Sequence, residues 1–433
     1  MHPNLSFDQA PPVSVPFRFF LTAPWFGVAA GLLLAWFGET AIASRWTGQA
    51  LALTHLLVAG YLLQAMTGAL FQFVPVAAGG NVWRPRLVAA ILHSAFIIAA
   101  PLLAAGFLFG EVAWLRLAAA VFLPAILLQV AVVGTALWRT PAGGATVRTL
   151  RIAIAGLLVT VVLGATLAEG LAVDHRWPLI ELTQVHAAWG LGGWALMLVM
   201  GVSYFVVPMF QLTPPYLDRL ARWLPTALVV ALLAWSLQLL GLDAAWITFV
   251  WLAGLGIAAG FALLTLRLQQ QRRRRISDPT FHFFRGAMLC LALVWLSAAI
   301  MVAAPTLGDD PRAAWWLGIV LIPGVFISLI NGMLYKIVPF LCWLHLQRLA
   351  GIGGVVPNMR EIISEQAQRW QMRLHFLSVA LLLSATFLPQ ATVLAGFAFA
   401  AASAWLGRNL LVGVGRFRSF RDRDFSAVAS PVP

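Results

Sequence analysis

Two histidines lie toward the same end of long apolar stretches: His55 is 13 residues before Gly68, and His186 is 15 residues before Gly201. On helices rising 1.5 Å per residue, each imidazole stands about 20 Å from its glycine, at one shared depth. Neutral imidazole is a natural metal ligand, and an ionisable side chain within an apolar span is a functional candidate by default. The competing reading is a ring that satisfies itself at a headgroup boundary. At roughly 100° per residue, the two-residue offset turns the imidazoles about 160° apart relative to their glycines, so separate sites are expected. Gly190, Gly192 and Gly193 permit a helix irregularity that would change this angle.

The remaining titratable side chains carry less. His175 sits in a polar loop between Asp174 and Arg176 and reads as solvated, or as a further ligand from above the span ends. His93, His345 and His375 lie toward the opposite side. Cys342 and His345, three apart on one helical face with Met359 following, have the donors of a soft copper site; boundary histidines more often snorkel. His2 and His282 have no supporting context. Lys336, the only lysine, falls inside an apolar stretch and needs a partner, a water-filled cavity or an interface. A proton path is its functional reading; snorkelling past Pro339 is the plain one. Glu169, Asp174, Glu181, Asp309 and Asp310 form an acidic rim, either simply solvated or a dock for a basic electron-donor domain.

Membrane helices must position these groups. The 433-residue chain is 61% apolar and 10% charged, with a mean hydropathy of +0.88, whereas soluble chains are roughly 45–50% apolar and 25% charged. A water-soluble multidomain enzyme is excluded. Hydropathy predicts twelve spans, at 18–38, 51–76, 86–109, 113–138, 149–170, 182–208, 224–241, 244–266, 285–304, 314–343, 373–388 and 391–412. The net charge of +13 comes from arginines flanking the spans, which is a topology signal and not a nucleic-acid footprint. Only Arg45, Arg116, Arg176 and Arg312 fall outside, so both termini are expected inside, in one multi-pass domain. Inner loop 267–284 joins Arg272 to Arg275 with Phe281, Phe283 and Phe284, an expected anchor at anionic headgroups. Loop 344–372 is expected to carry a surface helix over Met359–Met372, and 414–433 is a basic cytoplasmic tail. Cys290 and Cys342 form no C-x-x-C pair, so neither a disulfide framework nor a thiolate zinc site is encoded.

An internal repeat organises the spans. The second ends Gly68-Ala-Leu-Phe71-Gln72-Phe-Val74-Pro75, the sixth Gly201-Val-Ser-Tyr204-Phe205-Val-Val207-Pro208, and the tenth Gly332-Met-Leu-Tyr335-Lys336-Ile-Val338-Pro339. The glycines are 133 and 131 residues apart, and each interval holds four spans. Glycine lets a neighbouring backbone approach and proline permits a bend. Gln72 and Phe205 take the place of Lys336. The expected fold is an all-α polytopic membrane protein, with three four-helix arcs around a pseudo-three-fold axis.

Twelve helices in three arcs, with the phrase on spans two, six and ten, resemble subunit I of the haem–copper oxidases and the related NnrS-type membrane proteins. At residue level the likeness rests on Pro16-Phe-Arg-Phe-Phe20 before the first span, Thr54-His55 opening the second, and His186 opening the sixth. The resemblance implies His55 as an axial haem ligand, b-type by default, and His186 as ligand to a second haem or to copper. It implies a bacterial inner-membrane location, a periplasmic electron donor and a small gas ligand such as nitric oxide. The departures are specific. No His-His pair stands on the seventh span, Gly190 replaces a tyrosine four residues after His186, and Trp315, Trp316, Leu317 and Ile319 occupy the depth of a His-x-His on the tenth.

An intact oxygen- or nitric-oxide-reducing centre is therefore not expected, since it needs haem iron and a second metal held by several imidazoles. The resemblance implies a membrane protein that binds haem, or haem and copper, with a redox, electron-transfer or nitric-oxide-response role. The alternatives are a small-molecule or metal permease, whose repeats and Gly/Pro-broken helices look alike, and a non-catalytic assembly subunit.

Overall fold

The computed structural model describes residues 9–140, 143–173, 177–241, 244–273, 277–350 and 356–424, and these contain helices and no strand. A lipid-embedded chain must satisfy its backbone internally, and helices do so residue by residue. Eleven helices are long and apolar enough to cross a membrane: α1 (Ser14–Ile42), α2 (Gly48–Ala78), α3 (Pro85–Phe109), α4 (Val112–Arg139), α5 (Ala145–Ala172), α6 (Leu179–Gln211), α7 (Asp218–Leu240), α8 (Ala245–Gln270), α9 (Pro279–Ala303), α10 (Pro311–Ala350) and α12 (Pro389–Asp422). The expected span 373–388 falls on α11 (Glu365–Ala385). Its first turns, Glu-Gln-Ala-Gln-Arg, are too polar to match the others.

Burial sorts the helices into a centre and a periphery. Between 61% and 72% of the apolar stretch is buried in α2, α6 and α10, against 22% in α7 and 28% in α5 and α8. The three central helices, which carry the repeated phrase, meet pairwise. Tyr61 of α2 donates its hydroxyl to Asn331 Oδ1 of α10 at 2.5 Å. Phe73 of α2 packs edge-to-face on Phe205 of α6 at 5.6 Å, and Phe210 of α6 on Phe340 of α10 at 6.3 Å. Between them lies an apolar cavity of about 80 Å³, bordered by Met66, Val202 and Met333 and by Phe20 and Phe284 of α1 and α9.

Each phrase glycine admits a neighbour too close for a side chain. A Cβ on Gly68 would come within 2.9 Å of Phe19 on α1, one on Gly201 within 3.2 Å of Leu150 on α5, and one on Gly332 within 2.7 Å of Phe283 on α9. A second repeated feature lies in the backbone. Widened, π-helical turns run over Leu56–Leu62 in α2, Trp189–Leu196 in α6 and Val320–Ile327 in α10. Leu56, Trp189 and Val320 each stand twelve residues ahead of Gly68, Gly201 and Gly332. Such turns release backbone carbonyls and frequently mark functional sites.

First and last spans close the bundle. A Cβ on Gly31 of α1 would lie 2.5 Å from Ala400 N of α12, and one on Gly396 would lie 2.5 Å from Ala35 N of α1. Backbone cannot retreat as a rotamer can. Gly396→Val is therefore expected to cost about 3 kcal/mol, read as a lowered unfolding midpoint in detergent. A midpoint equal to that of the parent protein would contradict this packing.

Three loop expectations are corrected. Phe281, Phe283 and Phe284 do not lie on headgroups: they are 6%, 0% and 4% exposed, buried in the first turns of α9. The polar stretch after Pro357 is no single surface helix; a short turn, Met359–Ile362, breaks before α11 starts at Glu365. The expected tail from 414 is helical as far as Asp422, as the end of α12.

Candidate metal centre

His55 is the last residue before the widened turn of α2, and His186 lies three residues before that of α6. Their imidazoles face each other, with ring centroids 6.4 Å apart and planes inclined by only 20°. The two rings are thus neighbours, where the helix phases were expected to turn them apart. Gly68 turns to α1 and Gly201 turns correspondingly to α5. Equal phases on two such helices would put the imidazoles in corresponding, separate places. Unequal phases let one ring point forward and the other back, so that they meet.

Both rings are held in one tautomer. His55 Nδ1 donates to the Leu51 carbonyl at 2.7 Å, and His186 Nδ1 donates to the Thr160 carbonyl at 3.0 Å. With the proton on Nδ1, the lone pair of each Nε2 is left for a ligand, the arrangement that outer hydrogen bonds impose on metal-binding histidines. Phe107 of α3 stacks on His55 at 4.8 Å. On the other side Gly164 of α5 makes room for His186, whose Cε1 would lie 3.0 Å from a Cβ there.

The spacing can be tested against a bound metal. Two imidazoles that bind one ion from opposite sides, with metal–nitrogen distances near 2 Å, have centroids about 6 Å apart. The observed 6.4 Å lies close to that separation, between rings that are nearly parallel. Among the described residues no group of three or more His, Cys, Asp or Glu side chains gathers as a metal site. Two nitrogens alone would be a poor cage for zinc, which takes four ligands. They suit haem iron, whose porphyrin supplies the other four, or copper(I), which soft, sparse sites select.

The other candidates are accounted for differently. His375 is buried and both of its nitrogens are engaged: Asn331 Nδ2 lies 3.4 Å from its Nδ1, and its Nε2 lies 2.8 Å from Ser328 Oγ. Ser328 in turn donates to the Pro323 carbonyl, which belongs to the widened turn of α10. The result is a continuous run of donors, Tyr61 to Asn331 to His375 to Ser328 to Pro323. It ties α2, α10 and α11 together, and it is not a metal site. His93 Nε2 pairs with Thr22 Oγ1 at 2.9 Å, and its ring stands edge-on to Phe19 at 5.6 Å. His345 Nδ1 bonds the Leu341 carbonyl at 2.9 Å, a turn back on its own helix. Cys342 is fully buried while Met359 is 37% exposed, and no copper cluster assembles around them. His175 lies outside the described residues.

Lys336 reaches Asp278, the N-cap of α9, at 3.5 Å, with both side chains about one-fifth exposed. It also lies 5.6 Å from the Phe210 ring. The lysine therefore ties α10 to α9 at the end of the bundle remote from the paired imidazoles. Lys336→Met is expected to cost about 1 kcal/mol or less in thermal stability and to leave metal content unchanged, because partly exposed pairs contribute little. A loss of bound metal in that variant would return Lys336 to the site. Gln72, at the matching place on α2, is 8% exposed and its Oε1 has no partner among the described residues.

Sequence reasoning missed Tyr61, Asn331 and Ser328, whose polarity is unremarkable until α2, α10 and α11 converge. It also missed Gln64, Thr67 and Gln129, all 0% exposed, where Thr67 donates to Gln129 Oε1 at 3.2 Å. The chain matches no protein-family model and no curated protein.

Proposed function

We propose that this chain is an integral membrane haem protein in which His55 and His186 hold one iron between α2 and α6, and that it carries electrons. The observation that supports this reading is the pair of tautomer-locked imidazoles with centroids 6.4 Å apart inside the helix bundle. When bound, the haem would supply one-electron chemistry. The protein's part is to aim two nitrogens, fix their protons on the far side through Leu51 and Thr160, and exclude bulk water with Phe107 and the packed helices.

With His55 and His186 both committed to it, a haem held here would supply one-electron transfer rather than capture of a gas such as nitric oxide. Copper(I) held by the same two nitrogens is the second reading, supported by the absence of any third protein ligand among the described residues.

The fold reading goes one step further. α11 also crosses, which brings the crossings to twelve, and the chain forms three quartets about a pseudo-three-fold axis, on the scaffold of haem–copper oxidase subunit I. The matched widened turns support this, as does a matched contact. Phe19 of α1 packs on His93 of α3 at 5.6 Å, and Phe283 of α9 packs on His375 of α11 at 5.5 Å. In each case the first helix of a quartet meets the third. By arginine distribution the imidazole pair lies toward the outside of a bacterial inner membrane, with both termini in the cytoplasm.

The test is an absorption spectrum of the protein purified from cells supplied with haem precursors, together with a haem assay and metal analysis. A strong Soret band with a sharp reduced visible band is expected, at one haem per chain. A colourless protein with stoichiometric copper would favour the second reading, and a colourless protein with neither metal would refute both.

A further inference from the structure

Acidic groups on the outer rim divide into paired and free. Glu169 takes a two-pronged bond from Arg116, at 2.9 and 2.7 Å, and Asp310 binds Arg312, which holds its carboxyl below the usual range. Glu181, on the first turn of α6, makes no hydrogen bond or ion pair among the described residues. It borders a cavity of about 400 Å³ between α6, α7 and α8, together with Gln184, Trp235, Gln238, Thr248 and Trp251. This cavity is separate from the imidazole pair: His186 turns to Thr160 and Gly164 of α5, whereas Glu181 and Gln184 turn to α7 and α8.

The lining selects a ligand class. Among the described residues of the wall Glu181 is the one charged group; the amides and the hydroxyl are neutral, so this lining favours a single positive charge. A divalent metal ion needs more oxygen anions than one. Two indoles, Trp235 and Trp251, flank the same space, and indole faces attract cations whose charge is spread over an alkyl shell. The volume suits a small organic molecule and exceeds what a bare ion fills.

We propose that this cavity binds a small organic ammonium ion, with Glu181 as counter-charge and Trp235 and Trp251 as aromatic walls. Two sources carry that chemistry at a membrane surface, a free solute and the amine headgroup of a phospholipid.

The experiment uses the full chain in lipid-free detergent, with tetramethylammonium and choline as probes in ligand-observed NMR and calorimetry. Saturable binding is expected, with sodium chloride at equal ionic strength unable to compete. Glu181→Gln, nearly the same in shape, is expected to weaken it at least tenfold, and Trp251→Leu to weaken it severalfold. Native mass spectrometry of protein taken from membranes supplies the second arm. Selective retention of phosphatidylethanolamine over phosphatidylglycerol by the parent protein, lost in Glu181→Gln, assigns the headgroup as ligand. Saturable binding of the free probes without lipid retention assigns the solute. Absence of both, or equal binding by Glu181→Gln when its elution profile shows it folded, overturns the proposal.

Discussion

Alanine at His55 and alanine at His186 are each expected to strip the protein of nearly all its bound metal, and the double variant is expected to be no worse than either single one. The reason is geometric. On the proposed reading, rings 6.4 Å apart with both Nδ1 protons tied back to carbonyls serve one metal, so losing either nitrogen would remove half of the protein's hold. Disturbing even the outer partners of a metal ligand typically costs 10–100-fold in affinity, so losing the ligand itself should cost on the order of 100-fold or more. Two independent sites would behave otherwise, each single variant keeping about half of the metal and the double keeping none. Metal content per chain across the four proteins distinguishes these outcomes. Neither ring is fully buried, so the variants should still insert and fold.

His375→Ala is expected to do the reverse: to leave metal content intact and to destabilise the bundle by about 3 kcal/mol, through a new cavity and the unmet amide donor of Asn331. Both ring nitrogens of His375 are engaged, by Asn331 at 3.4 Å and Ser328 at 2.8 Å, and the same asparagine accepts from Tyr61. Removing the imidazole therefore interrupts a run that links three helices and steadies the widened turn of α10 at Pro323. Denaturant unfolding of the detergent-solubilised protein measures this, and His375→Gln, which keeps polar atoms in the space, should recover part of the loss. Unchanged stability in His375→Ala would mean that the hydrogen-bonded run does not hold these helices together.

These two histidine roles show what the sequence makes legible and what it hides. The spans were largely readable, because apolar length is a one-dimensional signal; ten spans and the last one overlap the helices found, most ends agreeing within a few residues and the end of the last falling ten short. The helix over 373–388 was foreseen, but its polar start at Glu365 was read as a separate surface element, since a chain record does not show that Ser364 caps one continuous helix. The depth of His55 and His186 was readable from their distance to glycine, whereas their meeting was not. Phase along a helix says which way a side chain turns relative to its own glycine and nothing of which neighbour receives it. The widened turns were not read from the sequence, although Gly60, Gly193 and Gly324 hold the same place in them, eight residues ahead of the phrase glycines, because a shared glycine alone does not announce a change of helix pitch. Lys336 looked unusual for its charge, yet its partner Asp278 lies 58 residues away at the start of another helix.

The decisive measurement is X-ray absorption at the edge of whichever metal the purified protein carries, because it counts the imidazoles around the metal atom. One iron or copper per chain with the scattering of two imidazoles is predicted, falling to one in His55→Ala and in His186→Ala for whatever metal those variants retain. A metal with a single imidazole in the parent protein, or no metal bound after expression in iron- and copper-replete cells, would contradict a centre shared by α2 and α6.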